Sequence, residues 1–290
     1  MVADVLALVL LQLAVGLAIC NLFTPSKDLS GGFFALHGII ASFALCVAWL
    51  VSGNGGFLLR KEERTAAAQA ASTALGARPW FAVALFAVAL ATLVAHTLVA
   101  RAGSAVSLTL SKNLLFVSAC CGVALLLSRV RVEPFISLPG IGPIWLAAGL
   151  LLGALLFGAV VLAMNLGHWY LVSTSLPWGL LVRATEAFAL LVVLRAVFAV
   201  VALGLVARGS AGEGGEALAG LLDPMRDGFF FWSRVTWGLL APLVLAPFVV
   251  KTARMRSNQA ATGLLYVGLV FVLVGELLAA YLTRRSGLPV

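Results

Sequence analysis

Histidine, arginine, glutamate and several aromatic residues gather in one stretch of an otherwise oily chain. Residues 164–186, MNLGHWYLVSTSLPWGLLVRATE, place Asn165, His168, Trp169, Tyr170, Ser173, Thr174, Ser175, Arg183 and Glu186 between two long apolar runs. Polar and ionisable groups beside hydrocarbon are costly and persist where they pair, line a wet cavity or hold a ligand. His168 and Glu186 are residue types that exchange protons, and here they are the candidate catalytic pair. Asn165, Trp169, Tyr170 and Arg183 add hydrogen-bonding groups, a positive charge and flat apolar surface. Together they suit a quinone headgroup, which needs a donor at each carbonyl and an apolar slot for its ring.

His37 and His96 stand on consecutive apolar segments, each about 6–8 Å inside the same membrane boundary at 1.5 Å per residue. By parity the connection holding His168 emerges on that face too, as do Lys112, Asn113, Arg183 and Glu186. Three histidines at one level suggest a shared cavity, with Arg183 and Glu186 forming a pair three residues apart on one helical face. Two facing imidazoles on different helices are the metal ligands a b-type haem requires, so His37 and His96 are the candidate axial pair. A metal centre using all three histidines is the weaker alternative, because the spacing does not call for it.

These residues need elements to hold them, and the composition says which. Of the 290 residues, 62% are hydrophobic and only 10% charged, with a mean hydropathy of +1.11. Soluble domains carry charge on about a quarter of their residues. The expectation is an all-α integral membrane protein, a bundle of about eight transmembrane helices forming a single polytopic domain over 1–290. A span needs about 20 apolar residues, and the windows fall at 3–23, 32–52, 79–100, 107–128, 143–164, 178–206, 229–251 and 262–284. The first, lacking a basic leader and carrying Asp4, reads as a retained helix rather than a signal peptide. No internal repeat is visible. A short surface helix is expected over 65–77, and a flexible loop over 209–228.

The net charge of +8 comes from basic residues in short loops beside spans, the pattern of topology signals and lipid headgroup contacts rather than of nucleic-acid binding. About ten Lys and Arg lie on the side of the termini and about five on the other. That bias places both termini in the cytoplasm, in a bacterial inner membrane. Cys20, Cys46, Cys120 and Cys121 lack metal or redox spacing and read as small hydrophobes. In the last two spans, Arg234 and Glu276 share one half of the membrane and are expected to pair. An unpaired Glu276 would instead be a proton-relay candidate. Arg195 needs a partner that the sequence does not name, and Pro242 and Pro247 predict a kink.

The segments FFFWSRVTWGLLAPLVL and TGLLYVGLVFVLVGELLAAYL resemble the end of polysulfide-reductase-type membrane subunits, eight-helix quinone-interacting anchors of respiratory oxidoreductases. Trp232, Gly238, Pro242 and Gly275 carry the likeness, which covers about a quarter of the chain. Where that family leads one to expect an arginine close after the last glycine, this chain has Glu276. The resemblance implies a subunit of an electron-transfer complex, binding quinone, haem b or both, with other subunits and membrane lipid as its partners. Two rivals come from other classes: a small-solute or ion transporter, and a structural scaffold subunit of a membrane complex.

Overall fold

With no water to satisfy backbone groups in hydrocarbon, a chain of this composition must close its hydrogen bonds within each segment. It does so: among the described residues there are helices and no strand. The structure is a computed structural model and describes residues 2–26, 29–52, 79–102, 105–129, 142–173, 176–208, 213–286 and 288. The surface helix expected over 65–77 lies outside them. Eight helical segments are long and apolar enough to cross a membrane, which makes this a multi-pass membrane protein.

The chain that sequence reading treats as one domain divides into two compact units, 1–132 and 133–290. In the first, α1 (Val2–Phe23), α2 (Gly31–Val51), α3 (Pro79–Ala102) and α4 (Ala105–Ser128) each pack on the next, and α4 returns to α1. Small residues allow the tightest of these approaches. A Cβ on Gly31 would collide with the Ala100 carbonyl oxygen, and one on Gly38 with Thr97 Oγ1. These glycines are seven residues apart on one face of α2, so α2 and α3 meet almost backbone to backbone.

The second unit closes the same circuit. It comprises α5 (Gly142–Val172), α6 (Gly179–Arg208), α7 (Glu213–Leu222), α8 (Gly228–Ser233), a π-helical segment (Arg234–Leu240), α9 (Ala241–Arg254) and α10 (Asn258–Ser286). Here α5 packs on α6, α6 on α9, α9 and the π segment on α10, and α10 on α5. One four-helix circuit thus occurs twice in a chain whose sequence shows no repeat, because packing constrains the size and period of apolar residues far more than their identity.

Two expectations need correction. The connection after span five begins later than 164: α5 runs on to Val172 and carries His168 on its last turns, since nothing in NLGHWYLV breaks a helix before Pro177. The segment 209–228 is not simply a loop either. Residues 213–222 form α7, whose Leu221 joins Val206, Phe231, Leu282 and Leu288 in a buried apolar cluster. That cluster covers hydrocarbon faces α7 could not bury alone.

The π segment follows from Pro242. Proline has no N–H, so the Gly238 carbonyl four residues earlier loses its helical donor. The Ala241 N–H reaches back five residues to Thr236, and the vacated Gly238 carbonyl accepts a hydrogen bond from Arg234 Nη1 at 3.0 Å. The expected kink is realised as a wider turn whose spare carbonyl is filled by a buried guanidinium.

Candidate functional site

The first unit holds two of the three histidines. His37, in the second turn of α2, is 1% exposed, and its Nδ1 lies 2.8 Å from the Phe33 carbonyl. His96, on α3 and also 1% exposed, places Nδ1 2.9 Å from the Ser111 carbonyl and 2.7 Å from Ser111 Oγ on α4. A carbonyl can only accept, so each of these contacts calls for a hydrogen on Nδ1. His96 Nε2 is buried and makes no well-formed hydrogen bond, although the Phe34 backbone also lies near the ring.

Around this end of the bundle the polar groups are linked. Lys112, next to Ser111, donates from Nζ to the Thr24 carbonyl at 3.3 Å, and the Thr24 N–H donates to the Asn21 carbonyl at 3.3 Å. Asn21, in the last turn of α1, is 1% exposed, and both atoms of its side-chain amide lack a partner. Other buried polar atoms without partners, such as Ser42 Oγ and Trp145 Nε1, are single and scattered. Asn21 and His96 put three unsatisfied atoms at one end of one bundle, in surroundings where an unmade hydrogen bond costs about 1–3 kcal/mol each. Sequence reading passed over Asn21. The signal was there, an amide in the final turn of an apolar span with no charged neighbour to explain it.

The haem expectation can be tested on this geometry. Axial imidazoles need a macrocycle-sized gap on their Nε2 sides, yet both rings are enclosed by protein atoms. The His96 ring presses on Gly38, where an added Cβ would lie 3.1 Å from its Cδ2. As the side chains stand, a haem between these two histidines, like any flat ring at this end, would require the helices to part. Among the described residues no three His, Cys, Asp or Glu side chains gather as a metal site, and His168 belongs to the other unit.

The residues from Asn165 to Glu186 are divided between the end of α5, the connection and the start of α6. His168 is exposed near the end of α5, Asn165 and Trp169 are half-buried one turn apart, and Arg183 is exposed on α6. The Tyr170 hydroxyl donates to the Pro177 carbonyl, which fastens the connection to the end of α5. The expected Arg183–Glu186 pair is replaced by one across helices: Glu186 Oε1 accepts from Arg254 Nη2 at 2.6 Å and Nε at 3.2 Å. Arg254 reaches Glu186 with two donors of its planar fork, which outweighs a single local contact. Both partners are largely exposed, so Glu186→Gln is expected to change the thermal midpoint little, by an amount equivalent to about 0.2–1 kcal/mol. Thermal unfolding in mild detergent checks this.

The deepest polar centre is in the second unit. Glu276 on α10 accepts from Arg195 of α6 in a bidentate pair, Nε to Oε1 at 2.9 Å and Nη2 to Oε2 at 3.2 Å. Arg234 Nη2 adds a third bond to Oε1 at 3.4 Å. Each side chain is at most 5% exposed. The expected Arg234–Glu276 pair is therefore present, Arg195 has its partner, and an unpaired Glu276 is ruled out. Gly238 and Gly275 make room for the arrangement: a Cβ on either would lie about 2.5–2.7 Å from Arg234 Nη1 and from the other glycine's Cα. Compared with protein families, curated proteins and solved structures, the chain finds no match.

Proposed function

We propose that this chain is an integral subunit of a bacterial respiratory or electron-transfer complex, and that the end of the first bundle near Asn21 and His96 receives a quinone headgroup. The observation that carries the reading is the buried His96 Nε2, which makes no well-formed hydrogen bond, in the same bundle end as an unsatisfied Asn21 amide. Quinone and quinol supply the two-electron, two-proton redox chemistry. His96 Nε2 is suited to hold a proton released from a quinol hydroxyl, with Ser111 fixing the ring and its tautomer. Asn21 Nδ2 is suited to donate to a carbonyl oxygen, and Lys112 lies at the same bundle end to exchange protons with the boundary. Electrons pass to a redox centre on a partner subunit.

Both residues are enclosed, so admission of a ring requires helices of this bundle to part at this end. The likeness of the last two spans to quinone-interacting anchors supports the redox assignment. The Glu276 carboxylate is held by two guanidiniums and is not free to carry a proton or a cation, which weighs against the transporter reading.

Organic extraction of the chain purified in mild detergent is the test. Bound quinone is expected near one per chain, falling about tenfold in Asn21→Leu and in His96→Phe, the loss of one or two hydrogen bonds to the ring. No quinone in the unaltered chain, with no binding of added quinone in nanodiscs, would overturn the reading. A haem band in the reduced-minus-oxidised spectrum would replace it.

A further inference from the structure

The two ends of the second unit differ in charge. At the end formed by α7 and its neighbours, Arg226 and Arg285 each face a carboxylate, Asp223 and Asp227. Pairing there is direct: Arg285 Nε lies 3.5 Å from Asp227 Oδ1 and Arg226 Nε 3.9 Å from Asp223 Oδ2. At the opposite end Arg183, Lys251, Arg254 and Arg256 are all exposed, and Glu186 is the one carboxylate among the described residues there.

Folding gathers these cations rather than spreading them. Arg254 is bonded to Glu186, one turn along α6 from Arg183, and Lys251 precedes Arg254 by one turn of α9. Arg256 sits in the turn between α9 and α10 with φ of 58°, a left-handed conformation uncommon for a side-chain-bearing residue. That turn sends its guanidinium over the Trp178 ring, 5.2 Å from the centroid. Stacking on the ring uses the face of the guanidinium and leaves its edge donors free to grip an oxyanion.

The level of this rim in the membrane is set by helix length. α5 has 31 residues and α6 has 30, about 46 and 45 Å at 1.5 Å per residue, against a hydrocarbon core of about 30 Å. Their ends reach the headgroup layer. The residues around the cations are those of that layer: Trp178 is half exposed, and Leu171 and Val172 turn large apolar side chains outward beside it.

We propose that this rim binds the phosphate of an anionic phospholipid, with Arg183, Arg254 and Arg256 as the gripping groups and Trp178 and Val172 against the glycerol and upper acyl chain. A soluble acidic protein fits less well, because exposed leucine and valine beside the cations match acyl chain rather than a hydrated surface. This site is independent of the quinone reading, which rests on the other unit.

The test is native mass spectrometry of the full chain released from nanodiscs of phosphatidylcholine doped with phosphatidylglycerol. The chain is expected to retain phosphatidylglycerol over phosphatidylcholine by about tenfold or more, as three basic groups at an anionic surface should give. The combined variant Arg183→Gln, Arg254→Gln, Arg256→Gln is expected to lose that preference. A control with Arg208→Gln and Arg284→Gln at the opposite end should keep it. All three substituted arginines are exposed, and an unchanged elution profile shows that the variant folds. Equal retention of the two lipids by the unaltered chain overturns the proposal, as does a preference that survives the triple change. Displacement of the lipid by millimolar inorganic phosphate overturns it as well, by showing a site for the free ion. So does capture of an acidic protein without lipid preference.

Discussion

A Glu276→Gln chain is expected to be less stable by about 3–5 kcal/mol, the cost of breaking a buried ion pair by removing one partner. The carboxylate lies between two guanidiniums and receives three hydrogen bonds from them. Glutamine keeps the shape and can still accept at one oxygen, but its amide nitrogen would face a donor. Arg195 and Arg234 would then confront each other without an anion in a region of low dielectric, where like charges repel most strongly. Replacing all three residues together, Arg195→Met, Arg234→Met and Glu276→Leu, removes charge and partner at once. That variant is expected to recover most of the loss, since a buried ionic triad exchanged for apolar residues of similar volume is often neutral or stabilising. Denaturant titration in mixed micelles, followed by helicity, measures both. A triple variant as damaged as Glu276→Gln would mean that the centre does more than hold its own charged groups together.

Adding one methyl group at Gly275 is expected to have an effect of comparable size. In Gly275→Ala the new Cβ would meet Gly238 Cα at 2.7 Å, the Gly238 carbonyl oxygen at 3.1 Å and Arg234 Nη1 at 2.6 Å. Two of those three are backbone atoms that cannot rotate away, and carbon atoms sit comfortably only at about 3.5–4.0 Å. The π segment and α10 must move apart by about 1 Å. Overpacking of this kind costs about 1–3 kcal/mol by itself, and the displacement also draws Arg234 away from Glu276. The two changes should therefore be coupled. In the Glu276→Gln background the same alanine is expected to cost measurably less than in the unaltered chain, by about 0.5 kcal/mol or more. Strict additivity in a double-mutant cycle would show that the glycines serve packing alone.

The architecture was legible because lipid imposes a length and a composition on every span, and the hydropathy windows match the eight helices with end shifts of a few residues, apart from the longer α5. The Arg234–Glu276 pair was legible for a related reason. Parity places both residues in one half of the membrane, where an unpaired charge is hard to sustain. Arg195 joins Glu276 from 81 positions away and Arg254 joins Glu186 from 68. Separations of that kind depend on which helix faces which, and helical period alone does not specify it. The division into two bundles was hidden for the same reason. His168 was misplaced because a polar segment beside a span was taken for a connection, whereas α5 carries its polar residues beyond the hydrocarbon. At the end of the first bundle, His37 and His96 were visible as residues. What distinguishes them is that the His96 ring is held by Ser111 and makes no well-formed hydrogen bond at Nε2, and only the fold shows this.

The wide turn from Arg234 to Leu240 also acts as a phase adjuster. An α-helix advances about 100° per residue, so the residue accommodated in the π turn sets the rotation of α9 relative to α8. Deleting one residue from this segment would restore regular winding and turn everything downstream by that angle. Either Arg234 would keep its place against Glu276, or Lys251 and Arg254 would keep theirs on the rim beside Glu186, and no straight helix could satisfy both. The irregular turn thus lets one membrane span serve a charge in its interior and a charged surface at its end, and it ties the spacing between them to a single residue of chain length.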